Sequence, residues 1–245
     1  KIAETENINT KNRIKIIECV KRGKIDIITP LCPDYDHYYF GMGMYKYTFN
    51  KLNSGLGLIG KRLVKIINKF HNFLKKNKIN FHHYLYYGDF EAFSEDNCKR
   101  LKIDERQFLE KLQKSCKLMK KKIGSNISVN LLVQNLSNKK NWNKMCLEQE
   151  KKISKIYVKK INAKRIINEI SISRNILYSS WYPNMKEQDY YKIVIKQGAE
   201  YTSMAHLFKK KFKNPMVLGL DHPKMSYFYN IEKPIPVVYG SPRYV

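Results

Sequence analysis

Ile25-Asp26-Ile27-Ile28-Thr29-Pro30-Leu31-Cys32-Pro33-Asp34-Tyr35-Asp36-His37 decides how this chain is read. An apolar, β-branched run gives way abruptly to prolines, a thiol, two carboxylates and an imidazole. The arrangement recurs twice. Phe81 to Tyr87 runs into Gly88-Asp89-Phe90-Glu91, and Val217-Leu218-Gly219-Leu220 runs into Asp221-His222-Pro223-Lys224. Short apolar runs bounded by turn residues read as buried strands. In an open α/β sheet, ligands bind outside the carboxyl ends of the strands. Three strand ends carrying titratable side chains therefore predict one assembled active site.

Working outward, the spacing predicts helices between these strands. Residues 1–22 hold a first helix, with Ile14, Ile17 and Val20 on its apolar face. Residues 30–54, rich in Tyr, Gly and Met, read as an active-site loop or lid, because so long a loop in a compact domain is usually functional. Gly55-x-Gly57-x-x-Gly60 opens a helix running to about Lys76. Asp104 caps another, with Phe108, Leu112, Cys116 and Met119 in register. Trp142 to Ile170 is mostly helical, and Asp189 to Phe212 is the longest helix. Further strands are expected at Val129–Val133, Met216–Leu220, Met225–Tyr229 and Ile235–Tyr239. Strand–helix alternation predicts a single Rossmann-like α/β domain over residues 1–245, with a mainly parallel sheet. The last two strands lie close together and predict an antiparallel C-terminal hairpin.

Composition bounds the function. A chain of 245 residues with 47 Lys and Arg against 21 Asp and Glu has a formal net charge of +26. Such a charge fits a nucleic-acid partner. Lysines scattered over solvated helix faces by compositional drift would give the same total. No run of 18 apolar residues occurs, so no transmembrane helix is expected. Five spread-out cysteines without C-x-x-C read as reduced thiols, and no charged-then-apolar leader opens the sequence, so a cytoplasmic location is expected. No G-x-S-x-G, Walker loop or H-E-x-x-H is present.

Each strand end has its own chemistry. Cys32, Asp34, Asp36 and His37 form either a solvated loop or an active-site wall; no supporting ligand is local, so no metal is expected. Asp89 and Glu91 offer paired carboxylates for proton transfer, unless one of them caps the next turn. His222 is held extended by Pro223 and sits beside Lys224. Gly55 and Gly57 open a helix whose free amides suit an anion, although glycines also serve close packing. Arg243 is a candidate anion clamp, and Arg174 and Tyr182 are candidate pocket lining. His82-His83 heads a strand, at the end away from the expected site, and reads as structural.

In order, Thr29 to Asp34, Gly88 to Ser94, and Gln197 through Leu220-Asp221-His222-Pro223-Lys224-Met225-Ser226 to Val237 resemble the isocyanide synthases grouped with pyoverdine and dityrosine biosynthesis proteins. The second-proline element, with Asp34-Tyr35 in place of a basic residue and Ser, departs from that family. The resemblance implies condensation of an amino acid's α-amine with a pentulose 5-phosphate to give an isonitrile, without a cofactor. Under it, Asp34, Asp89, Glu91 and His222 would be catalytic, with Cys32, Gly55, Gly57, Arg174, Tyr182, Lys224 and Arg243 binding amino acid and sugar phosphate. Two alternatives stand. One is a tRNA-dependent enzyme similar to cyclodipeptide synthases, which place a Ser nucleophile after the first strand, where this chain offers only Cys32. The other is a non-enzymatic basic RNA-binding protein.

Overall fold

β1 (Ile25–Leu31) is buried on both faces along most of its length, and that is why it reads as an almost unbroken apolar run. In the computed structural model it lies between β4 (Phe81–Tyr87) and β6 (Pro215–Gly219), parallel to both. The structure describes residues 14–41, 44–54, 56–124, 126–178, 182, 184–219, 223–232 and 234–239. β5 (Ile127–Leu131) adds outside β4 and β7 (Val237–Tyr239) outside β6, both parallel, giving a five-stranded sheet of order β5-β4-β1-β6-β7. The Rossmann-like α/β expectation holds, and the first three strands read from the sequence are adjacent and parallel.

Helices cover both faces. On one, α2 (Leu58–Lys76) and α4 (Glu105–Ile123) press Leu63, Ile67, Phe108 and Leu112 onto Leu31, Leu85 and Tyr87. On the other, α6 (Lys139–Lys159) and α8 (Tyr190–Lys211) cover Ile28, Tyr86 and Val217 with Trp142, Leu207 and Phe208. Two short helices, α3 (Glu95–Leu101) and α5 (Leu132–Leu136), follow β4 and β5, and α7 (Ile161–Tyr178) packs on α8. Asp104 caps α4 as expected: its carboxylate accepts from the Gln107 amide at 2.7 Å, and Gln107 Oε1 accepts from the Asp104 amide at 3.1 Å.

Four expectations fail, each for a local reason. The C-terminal hairpin is absent, because β7 pairs parallel to β6 and residues Pro223–Asn230 form a 3-10 helix instead of a strand. Its buried residues, Met225, Phe228 and Tyr229, recur at helical spacing. That segment packs so tightly on α8 that a Cβ at Gly198 would run into the Phe228 ring. Residues 30–54 are not a structureless loop: β2 (Tyr35–Gly41) and β3 (Met44–Leu52) form an antiparallel pair with register shifts, resting against α3 and α7. In the first helix, α1 (residues 14–21), the chain buries Ile16 and Cys19 and leaves Ile14 and Ile17 each 52% exposed. β5 also ends two residues early, and Leu132 begins a helix.

Among the described residues no helix is long and apolar enough to cross a membrane.

Candidate active site

The carboxyl ends of β1 and β4 are tied together, with the Gly88 amide donating to the Leu31 carbonyl at 2.8 Å. From this junction Cys32-Pro33-Asp34 leaves in one direction and the 3-10 turn Asp89–Phe93 in the other. Tyr35, the first residue of β2, is 3% exposed and stands edge-on to Phe108, with ring centroids 6.5 Å apart. Its hydroxyl donates to the Glu91 carboxylate. Burial raises the Glu91 carboxyl to about 7, against the Tyr35 hydrogen bond and the nearby Arg100 and Lys196 charges, which all favour ionisation. Burial and the Glu91 charge hold the Tyr35 phenol well above its ordinary value, so it stays protonated.

Asn97 fixes the far wall. Its side-chain amide donates to the Glu91 carbonyl at 3.1 Å, and its oxygen accepts from Arg100 Nη2 at 2.9 Å. Arg100 thereby lies within electrostatic reach of Tyr35, Glu91 and Tyr182. Burial pushes the Tyr182 phenol up, against the Arg100 charge. On α8, Lys196 and Glu200 stand one helical turn apart; Glu200 acts on Tyr182, and Lys196 on Glu91. Both also act on Cys146 of α6, whose thiol partial burial pushes up to about 12. Cys32 is the exposed thiol of the chain's five cysteines and lies within electrostatic reach of Tyr35. The result is a cluster of one exposed thiol, two carboxylates, two cations and two phenols, in which Glu91 titrates near neutrality.

Several expected site residues do other work. Asp34 is buried, and its carboxylate accepts from the Gly57 amide at 2.7 Å, occupying the N-terminus of α2. A Cβ at Gly57 would fall 2.7 Å from that carboxylate. The glycines there admit an internal anion, and the sugar-phosphate site expected at Gly57 is filled by the chain itself. Asp89 is fully buried and accepts from the amides of Val133 at 2.7 Å and Gln134 at 3.0 Å, so it caps the start of α5. Burial is the main influence on its carboxyl and raises it; the backbone hydrogen bonds oppose. Lys224 pairs with Glu169 of α7 at the surface. Gly55, His222 and Arg243 lie outside the described residues, as does the side chain of Arg174. Cys32, Glu91 and Tyr182 remain together. Sequence reasoning missed Tyr35, Arg100 and Lys196 as site members. The i, i+3 pair Asn97/Arg100 and the i, i+4 pair Lys196/Glu200 were the available signals.

Of the His82-His83 pair, His83 is fully buried and His82 lies partly exposed, 2.8 Å from the Ser128 hydroxyl. Thr29 Oγ1 lies 2.8 Å from His83 Nε2, and His83 Nδ1 lies 2.8 Å from His71 Nε2 of α2. The chain is buried between sheet and helix.

Comparison with known proteins finds no matching family model and no matching curated protein. A solved structure does match: cyclodipeptide synthase from Candidatus Glomeribacter gigasporarum bound to Phe-tRNAPhe. The match has 12% identity and a TM-score of 0.49, covering 88% of this chain and 86% of that one. At that distance no residue is carried from one chain to the other. The resemblance to isocyanide synthases is thereby corrected: no model of that family and no curated protein of that kind matches the chain.

Proposed function

We propose that the chain is a tRNA-dependent aminoacyl transferase of the cyclodipeptide-synthase kind, with the Cys32 thiol as acyl acceptor. The observation that supports this reading is an exposed thiol at the end of β1, beside the partly buried Tyr35–Glu91 hydrogen bond. Attack of the Cys32 thiolate on the ester carbonyl of an aminoacyl-tRNA forms a C–S bond and breaks the C–O bond. The departing ribose hydroxylate takes up the proton that the thiol gave. The amine of a second aminoacyl group then attacks the thioester, forming the amide and returning the thiol. Glu91, with its carboxyl near 7, is suited to accept and return these protons. Tyr35 stays a hydrogen-bond donor throughout, and the Glu200 carboxylate, within electrostatic reach of Tyr182, would pair with a substrate ammonium. The net charge of +26 favours a polyanionic carrier. The ester is already activated, so the reading asks for no cofactor.

The test is a rapid-mix reaction of the protein with tRNA bearing a radiolabelled amino acid, quenched in acid. A hydroxylamine-sensitive label on the wild type, absent from Cys32→Ala, is the expected result. No label and no peptide product from any aminoacyl-tRNA would overturn the reading.

A further inference from the structure

The edge of the sheet opposite the candidate site has a composition the reaction does not use. In a parallel sheet crossed by helices, the helix that precedes a strand ends at the edge where that strand begins. The turns entering β1, β4, β5 and β6 read K-R-G-K (21–24), K-K-N-K-I-N (75–80), K-K-K-I-G-S-N (120–126) and K-K-K-F-K-N (209–214), and none contains Asp or Glu. Accordingly α2, α4 and α8 all carry lysines in their last turn.

These turns are joined into one row. The Ile25 amide donates to the Asn80 carbonyl, the His83 amide to Asn126 and the Asp26 amide to Asn214, each at 3.0 Å. Arg22 Nε donates to Asn214 Oδ1 at 3.0 Å, and Asn214 Nδ2 donates to the Lys24 carbonyl at 3.1 Å. Four strand starts spaced across a sheet span roughly 14 Å. Adjacent turns therefore lie within a Debye length of about 8 Å at physiological salt.

The helix dipole accounts for some of this charge, since cations at a helix C-terminus are favoured by about 0.3–1 kcal/mol. It does not account for Arg22, Lys24, Lys78 or Lys213, which lie past the helix ends. Nor does it account for four like-charged turns side by side, whose mutual repulsion works against the fold. A row of phosphates relieves that repulsion.

We propose that this edge is a second contact face for the phosphate backbone of a structured RNA, remote from the reacting thiol. The choice of RNA over DNA rests on the aminoacyl-tRNA reading. The choice over an anionic membrane rests on the turns themselves: their described exposed residues are Lys, Arg, Asn and Gly, while their apolar residues, Ile79, Ile123 and Phe212, pack against the core and are not offered to lipid.

The experiment compares two five-site variants of the whole chain, each shown to be folded by circular dichroism. The edge variant is Lys76→Gln, Lys121→Gln, Lys122→Gln, Lys210→Gln and Lys211→Gln. The control is Lys140→Gln, Lys144→Gln, Lys151→Gln, Lys155→Gln and Lys159→Gln, five exposed lysines of α6. Binding of deacylated tRNA is measured between about 50 and 200 mM salt, the range over which phosphate contacts dominate affinity. The edge variant should lose at least about tenfold in affinity and flatten the log–log salt slope by about 3, while the control stays within about twofold. Equal losses in both variants, or none in either, would overturn the proposal. So would wild-type binding to phosphatidylserine vesicles that is lost in the edge variant while tRNA binding is unchanged. If the edge variant loses tRNA while no protein acylates Cys32, the RNA face stands and the transfer reading falls.

Discussion

The Tyr35 hydroxyl, at the start of β2, donates to the carboxylate of Glu91 in the turn that follows β4, joining two strand ends through one partly buried hydrogen bond. The bond favours the ionised carboxylate, while burial favours the neutral acid, and the balance sits near 7. Tyr35→Phe removes the donor and leaves burial unopposed by it, so the Glu91 carboxyl should titrate above its wild-type value. The acid limb of an aminoacyl-transfer pH profile should move to higher pH by the same amount. A 13C-detected titration of Glu91 checks the shift independently of activity, and a downward shift would contradict the account.

Asp34 and Gly57 make a second pair whose coupling can be measured. A Cβ at position 57 would lie 2.7 Å from the Asp34 carboxylate. Gly57→Ala should therefore destabilise the wild type by about 1–3 kcal/mol, the usual cost of overpacking. In an Asp34→Ala background the collision is gone and the same substitution should cost well under half as much. Asp34→Ala alone should cost about 1 kcal/mol through loss of the helix-terminal acceptor. Urea denaturation of the four proteins closes the cycle.

These two pairs show what was legible in the sequence. β1 and β4 could be read from apolar runs, and the location of Asp34, Asp89 and Glu91 just past their ends could be read with them. Their roles could not. A carboxylate after a strand looks the same in sequence whether it meets water, substrate or the amides of a helix start. The deciding partners are distant: Gly57 lies 23 positions from Asp34, and Val133 lies 44 from Asp89. The β2–β3 pair was concealed by Gly41 and Gly43, which punctuate a Tyr-rich run like loop residues. Met225 to Tyr229 was short enough to read as strand or helix, and contact with Gly198 and Thr202 of α8 settles it.

The buried pair His71–His83 predicts acid sensitivity. Burial is the largest influence on both rings and lowers both, His71 to about 4; Lys75 acts on His71, and His71 and His82 act on His83 in the same direction. Below about 6.5 the unfolded chain binds protons that the folded chain refuses, so stability falls as pH drops from there towards about 4. For His71 alone the loss is about 3 kcal/mol. Urea midpoints at pH 7, 6, 5 and 4 should show the decline, and His71→Leu should flatten it while lowering stability at pH 7. A variant as acid-sensitive as the wild type would mean that other groups govern the transition.

Asp89 separates architecture from chemistry. Its two carboxylate oxygens accept from the Val133 and Gln134 amides, in a site with no exposed surface. Asp89→Asn keeps one acceptor but turns an NH2 group towards the second amide, leaving two donors facing each other. Charged hydrogen bonds of this kind contribute about 1.5–3 kcal/mol, and an unsatisfied buried donor adds to the loss. The variant should therefore be destabilised by about 2–4 kcal/mol in denaturant melts. Cys32 acylation per folded molecule should stay within about threefold of wild type, equivalent to well under 1 kcal/mol of barrier. Glu91→Gln should do the reverse, losing acylation with a smaller change in stability. If Asp89→Asn were inactive while as stable as the wild type, the carboxylate would belong to the reaction after all, and the cap on α5 would be incidental.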